Sequence, residues 1–117
     1  MINTGQVTQV TGKVVAGILG HIERTDILTL ITIYELTIKS GKDKLVAEEI
    51  TRAAPISRRS VFNSLKSLER LGLINAERVT TGKITHRLFY MTPLGREIAE
   101  LLIRIRDLYV DYQQQQP

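Results

Sequence analysis

The chain has 117 residues, no cysteine and a formal net charge of +4 at pH 7. This length favours one domain with a modest core, and the absence of cysteine excludes disulfides, thiolate metal sites and cysteine redox sensing. Apolar runs are only a few residues long and no basic region precedes a long apolar block. We therefore expect neither a membrane span nor a signal peptide, and we expect a cytoplasmic protein.

The basic surplus is concentrated in the middle of the chain. Residues 41–91 contain ten basic and five acidic side chains, whereas residues 1–40 contain three of each and residues 92–117 contain three basic and four acidic ones. A surplus confined to one segment is typical of contact with a polyanion such as nucleic acid. The alternative is an ordinary solvated surface of mixed charge.

Residues 1–24 predict a weak helix or a mobile arm. Apolar residues recur there at helical spacing, but four glycines interrupt the pattern, each costing about 1 kcal/mol against alanine in a helix interior. We favour a helix that packs within a dimer, and we treat this segment as separate from residues 25–91. Its apolar positions are Val7, Val10, Val14, Ile18 and Ile22.

The next segment predicts two helices and a turn. From Thr25 to Lys39 the polar residues fall three or four apart, which favours a buried helix although the run is rich in β-branched residues. Leu45–Ala53 predicts a second, short helix, and Pro55 prevents its continuation because the proline ring disfavours helix in the preceding residue. With the helix that follows, this arrangement is a helix-turn-helix.

The third helix has the features of a DNA recognition helix. Ser57 is a good N-cap, Gly72 is suited to the C-terminal stop, and Val61, Leu65 and Leu68 form an inward face. The opposite stripe carries long cations and an amide without any carboxylate, which suits contact with phosphates and base edges in a DNA groove. That stripe consists of Arg59, Asn63, Lys66 and Arg70.

A hairpin and a final helix complete the predicted elements. Leu73–Thr80 and Ile84–Met91 read as two strands joined by a turn at residues 81–83. Thr92 is the expected cap of the last helix, and Pro93 occupies its first position, where a missing N–H costs nothing.

The C-terminal helix, predicted to end near residue 112, carries an apolar seam with heptad spacing. The helix is long for so small a domain, so part of the seam would be exposed in a monomer, and pairing with a second copy would bury it. A helix packed on its own core needs a similar stripe and is the alternative. We predict that residues 92–117 form a dimerisation helix and a polar tail, with an interface at Leu94, Ile98, Leu101, Leu102, Ile105, Leu108, Tyr109 and Tyr112.

The order of these elements is that of a winged helix-turn-helix, a mainly α fold with a small β-hairpin (α+β class) and a long C-terminal dimerisation helix. Over about residues 27–105 the chain resembles the MarR/PadR-type transcriptional regulators, in the motifs LVAEEITRAAPIS, SVFNSLKSLERLGLI and TTGKITHRLFYMTPLGREI. The resemblance implies a homodimer that binds partly palindromic double-stranded operator DNA. The leading hypothesis is therefore a transcriptional regulator, and more specifically a repressor that occludes a promoter.

Within the recognition helix, different side chains suit different contacts. Arg58 or Arg59 can donate two hydrogen bonds to guanine and Asn63 can pair with adenine, and each such contact discriminates by about 1–3 kcal/mol. Ser60 and Ser64 are short enough to let the helix approach DNA closely. For Arg58 the alternative is an ion pair with a nearby carboxylate.

Cations farther along the chain are suited to phosphate. Lys66 and Arg70 lie toward the end of the recognition helix, although Arg70 in the alternative only caps it. Around the hairpin tip lie Arg78, Lys83, His86 and Arg87, which can follow the backbone or enter the minor groove unless they only solubilise the hairpin. The predicted DNA-binding set is Ser57, Arg58, Arg59, Ser60, Asn63, Ser64, Lys66, Arg70, Arg78, Lys83 and Arg87.

The sequence contains no catalytic or metal-binding motif. His21 and His86 lie in different segments, and neither a glycine-rich phosphate loop nor a paired metal-ligand spacing is present. We expect no enzyme activity, no cofactor and no metal, while a small-molecule effector between the DNA-binding lobe and the dimerisation helices stays open. As a DNA-binding protein it would be associated with the nucleoid. Two other functions also stay open: a partition or architectural DNA-binding protein of plasmids or chromosomes, and a protein–protein adaptor that binds no DNA.

Overall fold

The computed structural model describes residues 4–116 and the side chains of residues 10–116, so the predictions for residues 1–3, the Val7 side chain and Pro117 lie outside it. Over this part, five helices and a three-stranded antiparallel sheet confirm the α+β winged helix-turn-helix fold. The elements are α1 (Thr4–Leu19), α2 (Arg24–Ser40), β1 (Leu45–Val46), α3 (Ala47–Ala53), α4 (Arg58–Arg70), β2 (Ile74–Thr81), β3 (Ile84–Met91) and α5 (Pro93–Gln114).

The inner face of α4 packs into the hydrophobic core. Val61, Leu65 and Leu68 are at most 2% exposed, which confirms the predicted inward positions of this helix. They cluster with buried side chains of α2, α3, α5 and the sheet, so the opposite face of α4 is left to solvent. The other large members of the cluster are Leu30, Ile33, Leu45, Ile50, Leu73, Ile74 and Phe89.

Helix α2 forms as predicted, but much of its polar stripe is buried. Thr29 and Thr32 donate their hydroxyls to the carbonyls four residues earlier, at 2.8 and 2.7 Å. The buried Asp26 carboxylate accepts a hydrogen bond from the Glu23 backbone N–H at 3.0 Å. Because these polar groups are satisfied within the helix and its cap, they can lie in the core at little cost.

The segment Leu45–Ala53 is not one helix, which corrects the prediction. Leu45 and Val46 pair with Phe89 and Leu88 as a third strand, in the sheet order β1-β3-β2, and α3 begins only at Ala47. Pairing with a strand more than forty residues away in the chain outweighs the local helical pattern. The extended backbone at Val46 then caps α3, because its N–H donates to Glu49 at 3.2 Å.

The start of α5 is hydrogen bonded to the residues that immediately precede β2. Thr92 Oγ1 donates to the Gly72 carbonyl at 2.7 Å and accepts from the Gly95 N–H at 3.0 Å, which confirms the predicted cap. A Cβ atom at Gly95 would lie 1.8 Å from the Leu73 carbonyl oxygen, so only glycine fits this crossing. The junction therefore sets the direction in which α5 leaves the winged helix.

The predicted dimer seam of α5 divides into two parts. Ile98 and Leu102 are half-buried against the core of their own chain, as the alternative interpretation expects, and their part in a dimer interface stays a prediction. The reason is that only the first turns of α5 cross the core, and every residue from Arg104 to Gln116 is exposed. The remaining seam residues are 52–63% exposed; they are Leu94, Leu101, Ile105, Leu108, Tyr109 and Tyr112.

Helix α1 presents a second exposed apolar face. The helix itself is confirmed, from Thr4 to Leu19. Its described apolar side chains are 44–60% exposed, although such residues usually pack against a partner surface. Those side chains are Val10, Val14, Val15, Ile18 and Leu19.

Candidate nucleic-acid interface

The outer face of α4 is a cationic stripe set on a well-capped helix. The Ser57 hydroxyl accepts a hydrogen bond from the Ser60 N–H at 3.1 Å, so the helix begins at Arg58 as predicted. All four stripe residues are exposed, and among the side chains of residues 10–116 none of them takes part in an ion pair. Their charges are thus free for an anionic partner; the stripe is Arg59, Asn63, Lys66 and Arg70.

Of the two small serines of α4, only Ser64 contradicts the prediction. Ser64 is only 1% exposed, which corrects its assignment to the DNA surface. It lies three residues after Val61 and four before Leu68, both fully buried, so it shares their inward face. Ser60 is half-buried, and its hydroxyl lies 2.9 Å from that of Ser57, so it belongs to the cap.

Arg58 forms the ion pair that the sequence left as an alternative. Its Nη2 lies 2.5 Å from Oε1 of Glu48 on α3, and its guanidinium sits over the Phe62 ring, 5.2 Å from the centroid. The hydrogen bond from Arg58 lowers the pKa of the Glu48 carboxyl below its ordinary value, and the same bond raises the pKa of Arg58. Arg58 is therefore held by α3 and by its own helix.

The wing carries two arginines side by side. The register pairs Arg78 with Arg87 and Thr80 with Thr85, on the strand face that continues from the buried Phe89. Arg87 is bound to Glu69 of α4 at 2.7 Å, which shows that this face looks toward the recognition helix. Like charges directly opposite each other in a sheet repel, and one carboxylate offsets only one of the two guanidiniums.

The tip of the wing is a tight turn at Gly82 and Lys83. Gly82 has φ +64°, a left-handed conformation that few other residues adopt, and it lets the hairpin reverse within two residues. Lys83 is exposed at the end of the hairpin. The wing thus extends its cation beyond the body of the domain, as predicted.

A groove of about 470 Å³ separates α4 from the wing. Arg58, Phe62 and Lys66 line its helix side, and Arg87 lies on its strand side. Sequence reasoning missed Phe62, although its spacing of four from Arg58 was visible, and it missed Glu48 and Glu69 as partners of the arginines. Those two pairings link residues ten or eighteen apart across different elements, so no local pattern indicated them.

A separate, partly open cavity of about 200 Å³ lies behind α4, among α1, α2 and α5. Apart from Asp26 its lining is entirely apolar, and Leu68 of α4 forms part of the wall. The two half-buried seam residues of α5, Ile98 and Leu102, also line it. The cavity therefore touches the recognition helix from the side opposite the cationic stripe.

Neither a membrane span nor a metal cluster is found in the described part of the chain. No helix within residues 4–116 is both long and apolar enough to cross a bilayer. No three His, Asp or Glu side chains of that part lie together as metal ligands would.

Residues 28–117 match the model of the HxlR-like helix-turn-helix family. The chain belongs to this family. Its members are DNA-binding transcription regulators, which agrees with the stripe and the wing described above. The narrower resemblance to MarR/PadR-type regulators is not confirmed, and no curated protein matches the sequence.

Solved structures share the fold at low sequence identity. A variant of ZitR from Lactococcus lactis aligns with TM-score 0.63 and 17% identity over 98% of this chain and 82% of its own. The candidate transcriptional regulator ytfH from Salmonella typhimurium aligns with TM-score 0.61 and 19% identity, covering 86% and 89%. The adhesin competence repressor AdcR from Streptococcus pyogenes aligns with TM-score 0.59 and 17% identity, covering 92% and 75%.

Proposed function

We propose that this HxlR-like protein is a homodimeric repressor that binds double-stranded operator DNA in the cytoplasm and covers a promoter. The observation that carries the proposal is the cationic stripe of α4, which is exposed, lacks carboxylates and stands beside a basic wing. Helix-turn-helix proteins place such a helix in the major groove, with its N-terminal residues nearest the bases. The similarity to the repressor AdcR and to the candidate transcriptional regulator ytfH supports a role in transcription.

The contacts follow from position along α4 and the wing. Arg59 and Asn63 lie in the first half of the helix, where they reach base edges in the major groove. Lys66 and Arg70 lie farther along and contact phosphates. Lys83 at the wing tip follows the backbone or enters the neighbouring minor groove.

The exposed apolar surface supports dimerisation. The apolar seam residues in the C-terminal half of α5 and the described apolar side chains of α1 are exposed in the single chain. Monomeric proteins rarely leave such large apolar patches in water, and a second copy offers the same two helices by symmetry. The two copies would then present two recognition helices to two half-sites of one duplex.

DNA binding is tested by titrating duplex DNA from upstream of the protein's own gene at about 50 and 200 mM salt. Several phosphate contacts predict a steep loss of affinity between these concentrations. Arg59→Ala should raise Kd about tenfold or more, because a bidentate base contact contributes about 1–3 kcal/mol. Lys39→Ala, which removes an exposed cation from the last turn of α2, is the matched control and should change Kd less than twofold.

The outcomes separate the classes of function. Salt-independent binding, or an Arg59→Ala variant that behaves like the Lys39→Ala control, would contradict the proposal and favour a protein–protein adaptor. Binding that spreads over tandem repeats, rather than protecting one operator, would favour a partition or architectural role.

We further propose that the apolar cavity binds an uncharged, hydrophobic effector. Its lining and its contact with Leu68 would couple occupancy to the position of α4. Adding toluene to the protein should shift the NMR methyl signals of Leu68 and Ile98, which line the cavity, and leave Val79 in the wing unchanged. Equal shifts at all three residues, or none, would argue against the cavity as a binding site.

A further inference from the structure

The first residue of the recognition helix, Arg58, is a cation held by two contacts on the DNA-facing side. Its guanidinium contacts the Glu48 carboxylate at 2.5 Å and the Phe62 ring at 5.2 Å from the centroid. Arg58 and Glu48 nevertheless remain exposed, with 61% and 50% of their side-chain surfaces accessible. The three side chains stand together at the edge of the groove between α4 and the wing.

This arrangement contributes little to the stability of the fold. Ion pairs between exposed side chains are typically weak because water screens them and because two long side chains lose freedom. Burial does not explain the pair either, since the core cluster contains neither residue. A role in binding explains better why a carboxylate lies beside a helix whose outer stripe is otherwise free of negative charge.

The carboxylate disfavours one kind of contact and favours another. A phosphate approaching Arg58 would be repelled by Glu48, which already neutralises the guanidinium. A guanine edge carries no net charge and needs two parallel N–H donors, and arginine has five. The Nη2 group is paired with the Glu48 carboxylate and the guanidinium lies over the Phe62 ring. The remaining donors therefore keep a fixed direction, and less rotamer freedom is lost on binding.

We propose that Glu48 is a positioning residue that holds Arg58 to read a base edge, with guanine as the matching base, and that it prevents Arg58 from acting as a phosphate contact. The inference rests on the proposed DNA-binding function. It distinguishes Arg58 from Arg59, whose guanidinium has no ion-pair partner among the described side chains. Glu48 thus increases selectivity while it lowers general affinity for DNA.

The test is selection from a randomised duplex library, with binding constants measured for the winning sequence and for its single-base changes. Wild type is compared with Glu48→Gln, Arg58→Ala and the matched control Glu77→Gln. Glu77 also pairs with a surface cation, Lys44, but on the hairpin and away from α4, so its substitution removes the same charge. Circular dichroism and dimer mass are recorded for every variant, to verify the fold.

Wild type should prefer guanine about tenfold at one base pair of each half-site, and Arg58→Ala should lose that preference there alone. Glu48→Gln should reduce the guanine preference at the same base pair several-fold. It should also bind non-specific DNA more tightly, and its DNA affinity should depend on salt more steeply, by about one phosphate contact per subunit. Glu77→Gln should retain the wild-type preference.

Other results overturn the inference in recognisable ways. If Glu48→Gln keeps full discrimination at that base pair, or loses affinity equally at every base pair, Glu48 does not position Arg58 for readout. If Arg58→Ala selects the wild-type sequence with undiminished preference, Arg58 reads no base. If wild type itself enriches no sequence, the protein does not bind DNA sequence-specifically. That result contradicts the proposed function, and the inference about Glu48 then loses its basis.

Discussion

Helices α4 and α5 are both amphipathic, yet their exposed faces have opposite chemistry. The exposed stripe of α4 is cationic and polar, whereas the exposed seam of α5 is apolar, with side chains such as Leu101 at 63% exposure. A charged face is stable in water alone and gains from a polyanion, but an apolar face of this size needs a protein partner. One small fold can thus separate proposed DNA contact and self-association onto two helices joined by a fixed junction.

The largest effect is expected at the junction between the two regions. Gly95→Ala would place a Cβ atom 1.8 Å from the Leu73 carbonyl oxygen, so α5 must move and the free energy of unfolding should fall by about 3 kcal/mol. Gly12→Ala is the matched control, because a Cβ there meets nothing within 4 Å inside a helix and should be neutral or stabilising by up to about 1 kcal/mol. Urea denaturation measures both, and equal stability of the two variants would show that the junction is not tight.

The apolar region is tested by placing a charge in the seam. Leu108→Glu should leave the folded monomer intact, because Leu108 is 55% exposed, but should weaken dimerisation about 100-fold, as an unpaired charge buried at an interface does. Analytical ultracentrifugation measures the dimer fraction. Ile38→Glu is the control, an equally exposed apolar residue on α2 outside the seam. If both variants remain dimeric, the seam does not form the interface.

The cationic region should respond differently from the seam. Lys66→Ala is expected to weaken DNA binding about tenfold or less, uniformly across DNA sequences, and to reduce the salt slope by about one per subunit. Dimer mass should stay unchanged, unlike for Leu108→Glu. A change of sequence preference in Lys66→Ala would instead place this lysine at the bases.

The smallest effect concerns pH. Arg58, chiefly through its hydrogen bond, and to a lesser degree the charge of Arg52 lower the pKa of Glu48 in the folded state. The contribution of this ion pair to the free energy of unfolding is therefore fully present above the pKa of an unfolded glutamate, about 4.3. It is lost as the pH falls through the lower pKa that Glu48 has in the folded protein. Glu48→Gln should thus differ slightly from wild type in urea denaturation at pH 7 and match it near pH 3. A difference that grows on acidification would contradict this sign.

The features that the sequence predicted correctly are those with local causes. The inward spacing of Val61, Leu65 and Leu68, the Ser57 cap and the Gly72 stop together located α4 and its outer stripe. In the hairpin, β3 has the predicted bounds and β2 is shifted by one residue. Helical periodicity and capping act within a few residues, so they can be read without a structure.

The features that were missed depend on distant partners. Strand β1 forms because β3 supplies a hydrogen-bonding edge, and Ser64 is buried because the core closes over that side of α4. The ion pairs of Arg58 and Arg87 depend on how α3 and the wing pack against α4. The spacing of residues along the chain does not indicate these contacts between distant elements.

The sequence by itself determined that there is a capped recognition helix, a basic wing and a long apolar-seamed helix, since each follows from periodicity, caps and turns in short segments. Only the tertiary structure decided which cations are free and which are held by carboxylates, and how much of the α5 seam the chain covers by itself. Charge pairing and burial depend on distances between elements, and those distances are set by the packing of the whole core.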